Sequence, residues 1–119
     1  MQSGSIYERY GGFAKINRVV MDFYDALLDS DELGPYFDNV DMARLIDHQT
    51  KFVSGLLGGP VDFDDEVLRR AHRHLRVTQE HFDELKRVLG NILETHAFLP
   101  ADVQTVLAAV EARRPLVVA

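Results

Sequence analysis

The chain has 119 residues, of which 46% are apolar and 27% charged, and it contains no cysteine. This length predicts a single domain over residues 1–119, and the lack of cysteine excludes disulfides, Cys-ligated zinc and iron–sulfur clusters. A formal net charge of −6 argues against nucleic acid or a membrane surface as the main partner. With no signal peptide and no apolar run of about 20 residues, we expect a cytoplasmic protein, and we expect it to be a monomer.

Helical periodicity runs through the first half of the chain, and no segment alternates at period two, so we predict an all-α fold. The first long helix is predicted over Phe13–Leu28, followed by a short helical turn over Glu32–Phe37. Asp41 is expected to cap the next helix, which Gly58 and Gly59 end.

The second half begins with an acidic stretch, residues 61–71, whose composition fits either a loop or the start of a helix. Thr78 is the predicted N-cap of a long helix that runs through Leu93. Pro100 stands at a first-turn position and opens the last predicted helix. Pro115 is predicted to end that helix, because proline cannot continue a helix interior. A core this small would be enlarged by a large apolar ligand.

Two histidines lie on apolar helix faces, on either side of the Gly-Gly-Pro break. His72 follows Leu68 by four residues, and His48 precedes Phe52 by four. Either both are ordinary core or rim histidines, or a flat apolar cofactor lies between their helices with an imidazole on its metal. Haem requires this combination of imidazole, apolar wall and hydrogen-bond donor. Zinc, serine-nucleophile and phosphate-loop chemistry have no matching motif here.

Short motifs follow one another in a fixed order along nearly the whole chain. They are Ile6-Tyr7-Glu8, Gly11-Gly12, Asp22-Phe23-Tyr24, Tyr36-Phe37, Val40-Asp41-Met42, His48-Gln49, Phe52, Gly58-Gly59-Pro60, Ala71-His72, Val77 and His81-Phe82-Asp83. Together, in this order and spacing, they resemble group I of the truncated haemoglobins. The resemblance implies a two-on-two helical sandwich around haem, with a vestigial first helix and a mostly extended loop before the proximal histidine.

The resemblance also implies roles for individual residues around haem b. His72 matches the proximal iron ligand, and Tyr24 and Gln49 match distal residues that form hydrogen bonds with a bound gas. His48 matches a position where, in some relatives, a histidine is the sixth iron ligand when no gas is present, and our hypothesis is that His48 ligates the iron in the ligand-free state. The alternative is that His48 swings to solvent or to a propionate. Arg44 matches a position where a basic residue approaches a haem propionate. The implied apolar haem contacts are Phe37, Leu45 and Phe52 on the distal side and Leu68, Val77 and Phe82 on the proximal side.

The chain departs from the family pattern before the proximal helix. Many relatives have a further glycine there, whereas residues 63–66 contain none. Some relatives attach haem covalently through a histidine in the last helix. Residues 100–119 contain no histidine, so we expect non-covalent haem. His74, His81 and His96 are expected to be surface or structural residues.

The function that the resemblance implies is reversible binding of O2 and other diatomic gases, NO and CO. Three alternatives stay open. One is catalysis, either as a nitric oxide dioxygenase, which would need an external reductase, or as a peroxidase-like enzyme. Another is electron transfer, redox sensing or gas sensing through bis-histidyl iron. The last is a globin-like interaction module that never binds haem.

Overall fold

The computed structural model describes residues 4–60, 65–73 and 75–118, with the side chain of Val67 excepted. Seven α-helices and one 3-10 helix make up the regular structure of these residues. The α-helices are α1 (Ile6–Arg9), α2 (Gly12–Asp29), α3 (Met42–Leu56), α4 (Asp65–His72), α5 (Gln79–Thr95), α6 (Pro100–Glu111) and α7 (Arg114–Val117), and the 3-10 helix is Gly34–Phe37.

The all-α prediction is confirmed. Within the described ranges, extended pairing is limited to one isolated bridge between Val77 and Val118. The four-residue α1 fits the vestigial first helix that the sequence resemblance implies. Of the acidic stretch 61–71, which fits either a loop or a helix start, residues 65–71 belong to α4, so the chain directly before His72 is helical and not extended. Residues 61–64 and His74, which was expected at the surface, lie outside the described residues.

The long helices form two packed pairs. Helix α2 packs on α3, and α5 packs on α6. Contacts between α2 and α5 join the pairs, as expected for a two-on-two sandwich. Residues buried on α2, such as Ile16 and Leu27, meet Leu93 of α5 and Val106 of α6 in one apolar cluster.

The helix starts follow the predicted caps. The Asp41 carboxylate accepts a hydrogen bond from the backbone N–H of Arg44 at 3.2 Å, and the Thr78 hydroxyl accepts one from that of His81 at 3.0 Å. Each side chain satisfies a backbone donor that the first helical turn leaves without a partner. Helix α2 extends one residue beyond its predicted bounds at each end.

The predicted helix stop at Pro115 is wrong. Helix α6 already ends at Glu111, and Pro115 lies in the first turn of α7. Proline fits there because a first-turn residue needs no N–H donor, and its fixed φ suits a helix start. The additional helix α7 packs against α4, which carries His72.

A network of polar and aromatic contacts anchors the N-terminal end of α2. The Arg9 guanidinium donates two hydrogen bonds to Asp102, at 2.9 and 2.8 Å, and the Tyr10 hydroxyl donates one at 2.6 Å. Arg9, and then Tyr10, lower the pKa of Asp102 to about 2. The Tyr10 ring also stacks on Phe98, with centroids 3.9 Å apart. These contacts connect the chain before α2 to the start of α6.

A second network holds α7 against α5. The Arg114 guanidinium donates to the carboxylates of Glu111 and Asp83, and lies over the Phe82 ring, 4.6 Å from its centroid. Hydrogen bonds from Arg114, and then from Lys86, lower the pKa of Glu111 to about 2. Because Phe82 is almost fully buried, this network fixes α7 beside the interior of the protein.

Candidate functional site

Two adjoining cavities, of about 110 and 270 Å³, lie among α2, α3, α4 and α5. Their walls are largely apolar, as in most small-molecule and cofactor sites. The residues that line both cavities are Tyr24, Gln49, His72, Leu85 and Val117. The cavities therefore share three polar side chains, those of Tyr24, Gln49 and His72.

Most of the sequence-predicted site residues line these cavities. Phe52, Leu68 and Phe82 line the smaller one, and Phe37, Leu45 and Val77 line the larger one. Leu68, Val77 and Phe82 are buried, whereas Phe37, Leu45 and Phe52 are half-buried. The structure thus brings together apolar residues from segments that are up to 45 positions apart, between Phe37 and Phe82.

His72 is held in one orientation by its own helix. It is the last residue of α4, and its Nδ1 lies 2.8 Å from the backbone carbonyl oxygen of Leu68, one turn earlier. A carbonyl can only accept, so Nδ1 carries the proton and donates. In neutral imidazole, Nε2 then carries the lone pair that a metal binds.

Tyr24 is placed as a hydrogen-bond donor at the cavity wall. It is buried on α2, and its ring packs edge-on against Phe23 and Phe37, with centroids 5.2 and 5.5 Å away. Burial raises the pKa of Tyr24 above its ordinary value, so the hydroxyl keeps its proton at neutral pH. Among the described residues, neither this hydroxyl nor the Gln49 amide has a hydrogen-bond partner, so both can bind a ligand.

Arg44 and His48 are not brought to the cavities. Both are exposed on α3, and neither lines either cavity. At about 100° per residue, Thr50 and Ser54 lie well round the helix from His48, by about 200° and 240°. Thr50 and Ser54 are fully buried, and Thr50 accepts a hydrogen bond from Asn17 of α2. These small side chains turn that face of α3 toward α2, which leaves His48 on the solvent side.

Residues to which the sequence assigned no role at the site also line the larger cavity. Tyr36, Leu75 and His81 line it, and the Tyr36 hydroxyl lies 2.6 Å from His81 Nδ1. His81, expected to be surface or structural, therefore belongs to the site. Its position directly before Phe82 in the family motif could have indicated that His81 lies at the site. No sequence signal indicated that Val117, on the short α7, lines the cavities.

His96 lies away from both cavities and has a structural role. The Lys15 ammonium donates to His96 Nδ1 at 2.8 Å, and His96 Nε2 donates to Asp22 at 2.7 Å. His96 thus connects the end of α5 to α2, which agrees with the structural role expected from the sequence.

The chemistry of these residues fits a haem. One imidazole with its proton on Nδ1 lies beside apolar and aromatic walls, and two hydrogen-bond donors complete the site. In the part of the chain that the structure describes, no three His, Cys, Asp or Glu residues are grouped closely enough to hold a metal ion. No helix within those described ranges has the length and apolar character needed to cross a bilayer.

Comparison with known proteins assigns the family. The family model for bacterial-like globins matches residues 5–116. The chain is 32% identical over 110 residues to the group 1 truncated hemoglobin GlbN of Synechocystis sp., covering 89% of this chain and 88% of the relative. It is 30% identical to GlbN of Mycolicibacterium paratuberculosis, covering 96% and 84% of the two chains.

Solved structures agree with this assignment. The truncated hemoglobin of Tetrahymena pyriformis in its Fe(III) form superposes with a TM-score of 0.88 at 27% identity, covering 97% of this chain and 98% of that one. The 2/2 hemoglobin of Synechococcus sp., in the cyanomet state with covalently attached heme, superposes with a TM-score of 0.89 at 29% identity, covering 96% and 98%. The chain therefore belongs to the group 1 truncated hemoglobins, haem globins that bind diatomic gases such as O2.

Proposed function

We propose that this protein binds haem b non-covalently, with His72 as the proximal iron ligand, and that it binds O2, NO and CO reversibly. The observation that carries the proposal is the contact between His72 Nδ1 and the Leu68 carbonyl, which directs the lone pair of Nε2 away from the α4 backbone. The lack of histidine in residues 100–119 supports non-covalent binding.

The proximal wall of the proposed site is apolar. Leu68, Val77 and Phe82 are buried beside the cavities that His72 lines. An apolar wall favours the porphyrin plane, since apolar surface gains free energy when it leaves water. When bound, haem would be held by His72 and would supply the iron that binds a diatomic gas.

The distal donors determine how long a gas stays. Tyr24 and Gln49 lie on α2 and α3, and both can donate to a polar diatomic ligand. Because the Tyr24 hydroxyl is buried, its hydrogen bond forms in a medium of low dielectric constant and is stronger than in water. These donors should mainly slow ligand release and have less effect on entry.

Haem titration of the apoprotein tests the proposal. We expect a stoichiometric Soret band, an increase in thermal stability on adding haem, and a CO spectrum after reduction. Absence of both the Soret band and the stabilisation would instead establish a globin-like module that does not bind haem. Nitrate production from NO under turnover would separate catalysis from reversible binding.

The position of His48 favours an iron site open to gas over bis-histidyl ligation. Its side chain is exposed, so ligation would require it to move from solvent into the cavity. We expect ferric and deoxy-ferrous spectra of the high-spin type, unchanged in His48→Ala. A low-spin spectrum that the same substitution converts to high-spin would assign His48 as the sixth ligand.

A further inference from the structure

Four arginines lie close to His72 in the sequence, on both sides of it, and all four are on the protein surface. Residues 69–76 contain four of the thirteen Lys and Arg residues of the chain and no acidic residue. Arg69, Arg70, Arg73 and Arg76 are all exposed. We call these four residues the arginine patch. In a chain of net charge −6, such a local excess of positive charge is unusual.

Little within the described chain neutralises the arginine patch. Glu66 pairs with Arg69 at 3.1 Å and lies 3.9 Å from Arg73. Arg70 and Arg76 form no ion pair with any described residue. Several basic residues elsewhere pair with carboxylates, and these pairs include Arg9–Asp102, Lys51–Asp47, Lys86–Glu111, Arg87–Glu84 and Arg114–Asp83. The patch therefore keeps positive charge available for a partner.

The backbone that carries the arginine patch has a defined structure. Arg69, Arg70 and the cavity-lining His72 belong to the same helix, α4, and Arg73 directly follows it. Arg76 has φ of 54°, a conformation that costs a non-glycine residue free energy and that the surrounding structure must maintain. Val77, which comes next, is buried in the cavity wall. A partner on this patch would lie about one helix diameter, ~10 Å, from His72.

We propose that the arginine patch is the docking surface for an acidic protein that donates electrons to the haem, an inference that rests on the proposed function. Reversible O2 binding requires ferrous iron, so each ferric haem must gain one electron, which the donor protein loses. No bond or proton needs to be transferred. A nucleic acid duplex or an anionic membrane extends beyond a patch of four arginines and over the negatively charged remainder of the protein, whereas a compact acidic protein can match the patch alone.

The probe is an acidic, plant-type [2Fe–2S] ferredoxin, which is a single-electron donor of sufficiently low potential. Two measurements are made on the holoprotein at low and high ionic strength. One is the affinity of oxidised ferredoxin for the ferric protein, and the other is the rate at which reduced ferredoxin generates the ferrous–CO spectrum. The test variant is Arg70→Gln/Arg76→Gln. The control, Arg18→Gln/Arg87→Gln, removes the same charge from exposed positions elsewhere.

We expect the test variant to lower both affinity and reduction rate about tenfold at low salt, and the control to change them less than about twofold. Added salt should weaken wild-type binding and remove most of the difference. Equal losses in both variants, or wild-type binding that salt does not weaken, would overturn the proposal. Tighter patch-dependent binding to anionic vesicles or duplex DNA would also overturn it.

Dithionite reduction separates this proposal from the proposed function. If dithionite yields the ferrous–CO spectrum in every variant, the haem site is intact, and the ferredoxin results judge the patch alone. The affinity for oxidised ferredoxin is measured without electron transfer. It therefore tests docking on the patch even if His72 is not the iron ligand. Binding without reduction would overturn the role of the partner as an electron donor.

Discussion

The distal and proximal sides of the site are built in different ways. On the distal side, Tyr24 and Gln49 lie within helices of 18 and 15 residues, α2 and α3, which pack along each other. On the proximal side, His72 is the last residue of an eight-residue helix. The wall there continues through Leu75 and Val77, which lie outside the helices.

This difference shows that the distal and proximal residues of the site are positioned by different interactions. Short helices are marginal in isolation and depend on packing. The distal donors are fixed by the helix packing that folds the protein, and they should keep their places without a cofactor. Helix α4 has its main helix contacts with α7, so we expect the ligand between the two sides to supply much of its stability.

Removing His72 should have the largest effect. We expect His72→Ala to lower haem affinity more than about 100-fold, because loss of a supporting group around a metal ligand already costs 10- to 100-fold. His48→Ala removes the same ring from an exposed position on the distal helix and should leave affinity unchanged. Haem transfer to an apo-globin acceptor measures both. Similar affinity in the two variants would mean that His72 is not the ligand.

Hydrogen exchange in the apoprotein should show the difference in stability between the proximal helix α4 and the distal helices α2 and α3. Amides of α4 should exchange more than about 100-fold faster than interior amides of α2 and α3, because local opening there breaks few buried contacts. Adding haem should slow exchange in α4 far more than in the distal helices. If α4 is already as protected as α3 in the apoprotein, the contrast between the two sides is wrong.

Loss of the distal hydroxyl should have a moderate effect. We expect Tyr24→Phe to speed O2 dissociation about fivefold, because it removes one buried hydrogen bond worth about 1 kcal/mol. Tyr36→Phe is the matched control, since that hydroxyl already pairs with His81. Burial raises the pKa of Tyr24, so its donor role should persist through pH 10. Stopped-flow measurement of an unchanged off-rate would exclude Tyr24 as the donor.

Loss of the Asp102 contacts that anchor the start of α2 should have the smallest effect on the haem site. Asp102→Asn weakens the contacts with Arg9 and Tyr10 and should cost about 1 to 2 kcal/mol of unfolding free energy at pH 7. Folding lowers the pKa of Asp102 from 3.8 to about 2. The stabilisation is therefore complete above pH 3.8 and is lost as pH falls through 2.

Denaturant unfolding at pH 7 and at pH 2.5 measures this difference. The gap between wild type and Asp102→Asn should shrink at the lower pH. Asp47→Asn, which removes one partner of an exposed ion pair on α3, should cost less than about 0.5 kcal/mol. An equal cost for the two substitutions would show that the anchor contributes no more than an ordinary surface pair.

Local sequence signals predicted what depends on local chemistry. The caps at Asp41 and Thr78 and the bounds of α2 could be predicted because turn chemistry and helical periodicity act over a few residues. The exposure of His48 could not. Its spacing from Phe52 suggests a shared face, but burial of Thr50 against α2 determines which side of α3 faces inward.

Contacts between segments distant in the sequence could not be predicted from local patterns either. The pairing of Arg9 with Asp102 and the place of Val117 in both cavity walls join segments that no periodicity connects. The motif order of the family placed the apolar site residues where spacing alone left them ambiguous. It still did not determine the side-chain directions of Arg44 and His48, because these depend on how α3 packs in this chain.

Helix α7 has a consequence for how mutations in this protein are interpreted. It comprises four residues, Arg114–Val117, far from His72 in sequence, yet it packs on α4 and lines both cavities. A substitution or truncation there would be recorded in a genetic screen as a failure to incorporate cofactor. The cause would be loss of mechanical support for α4, with all candidate ligands intact.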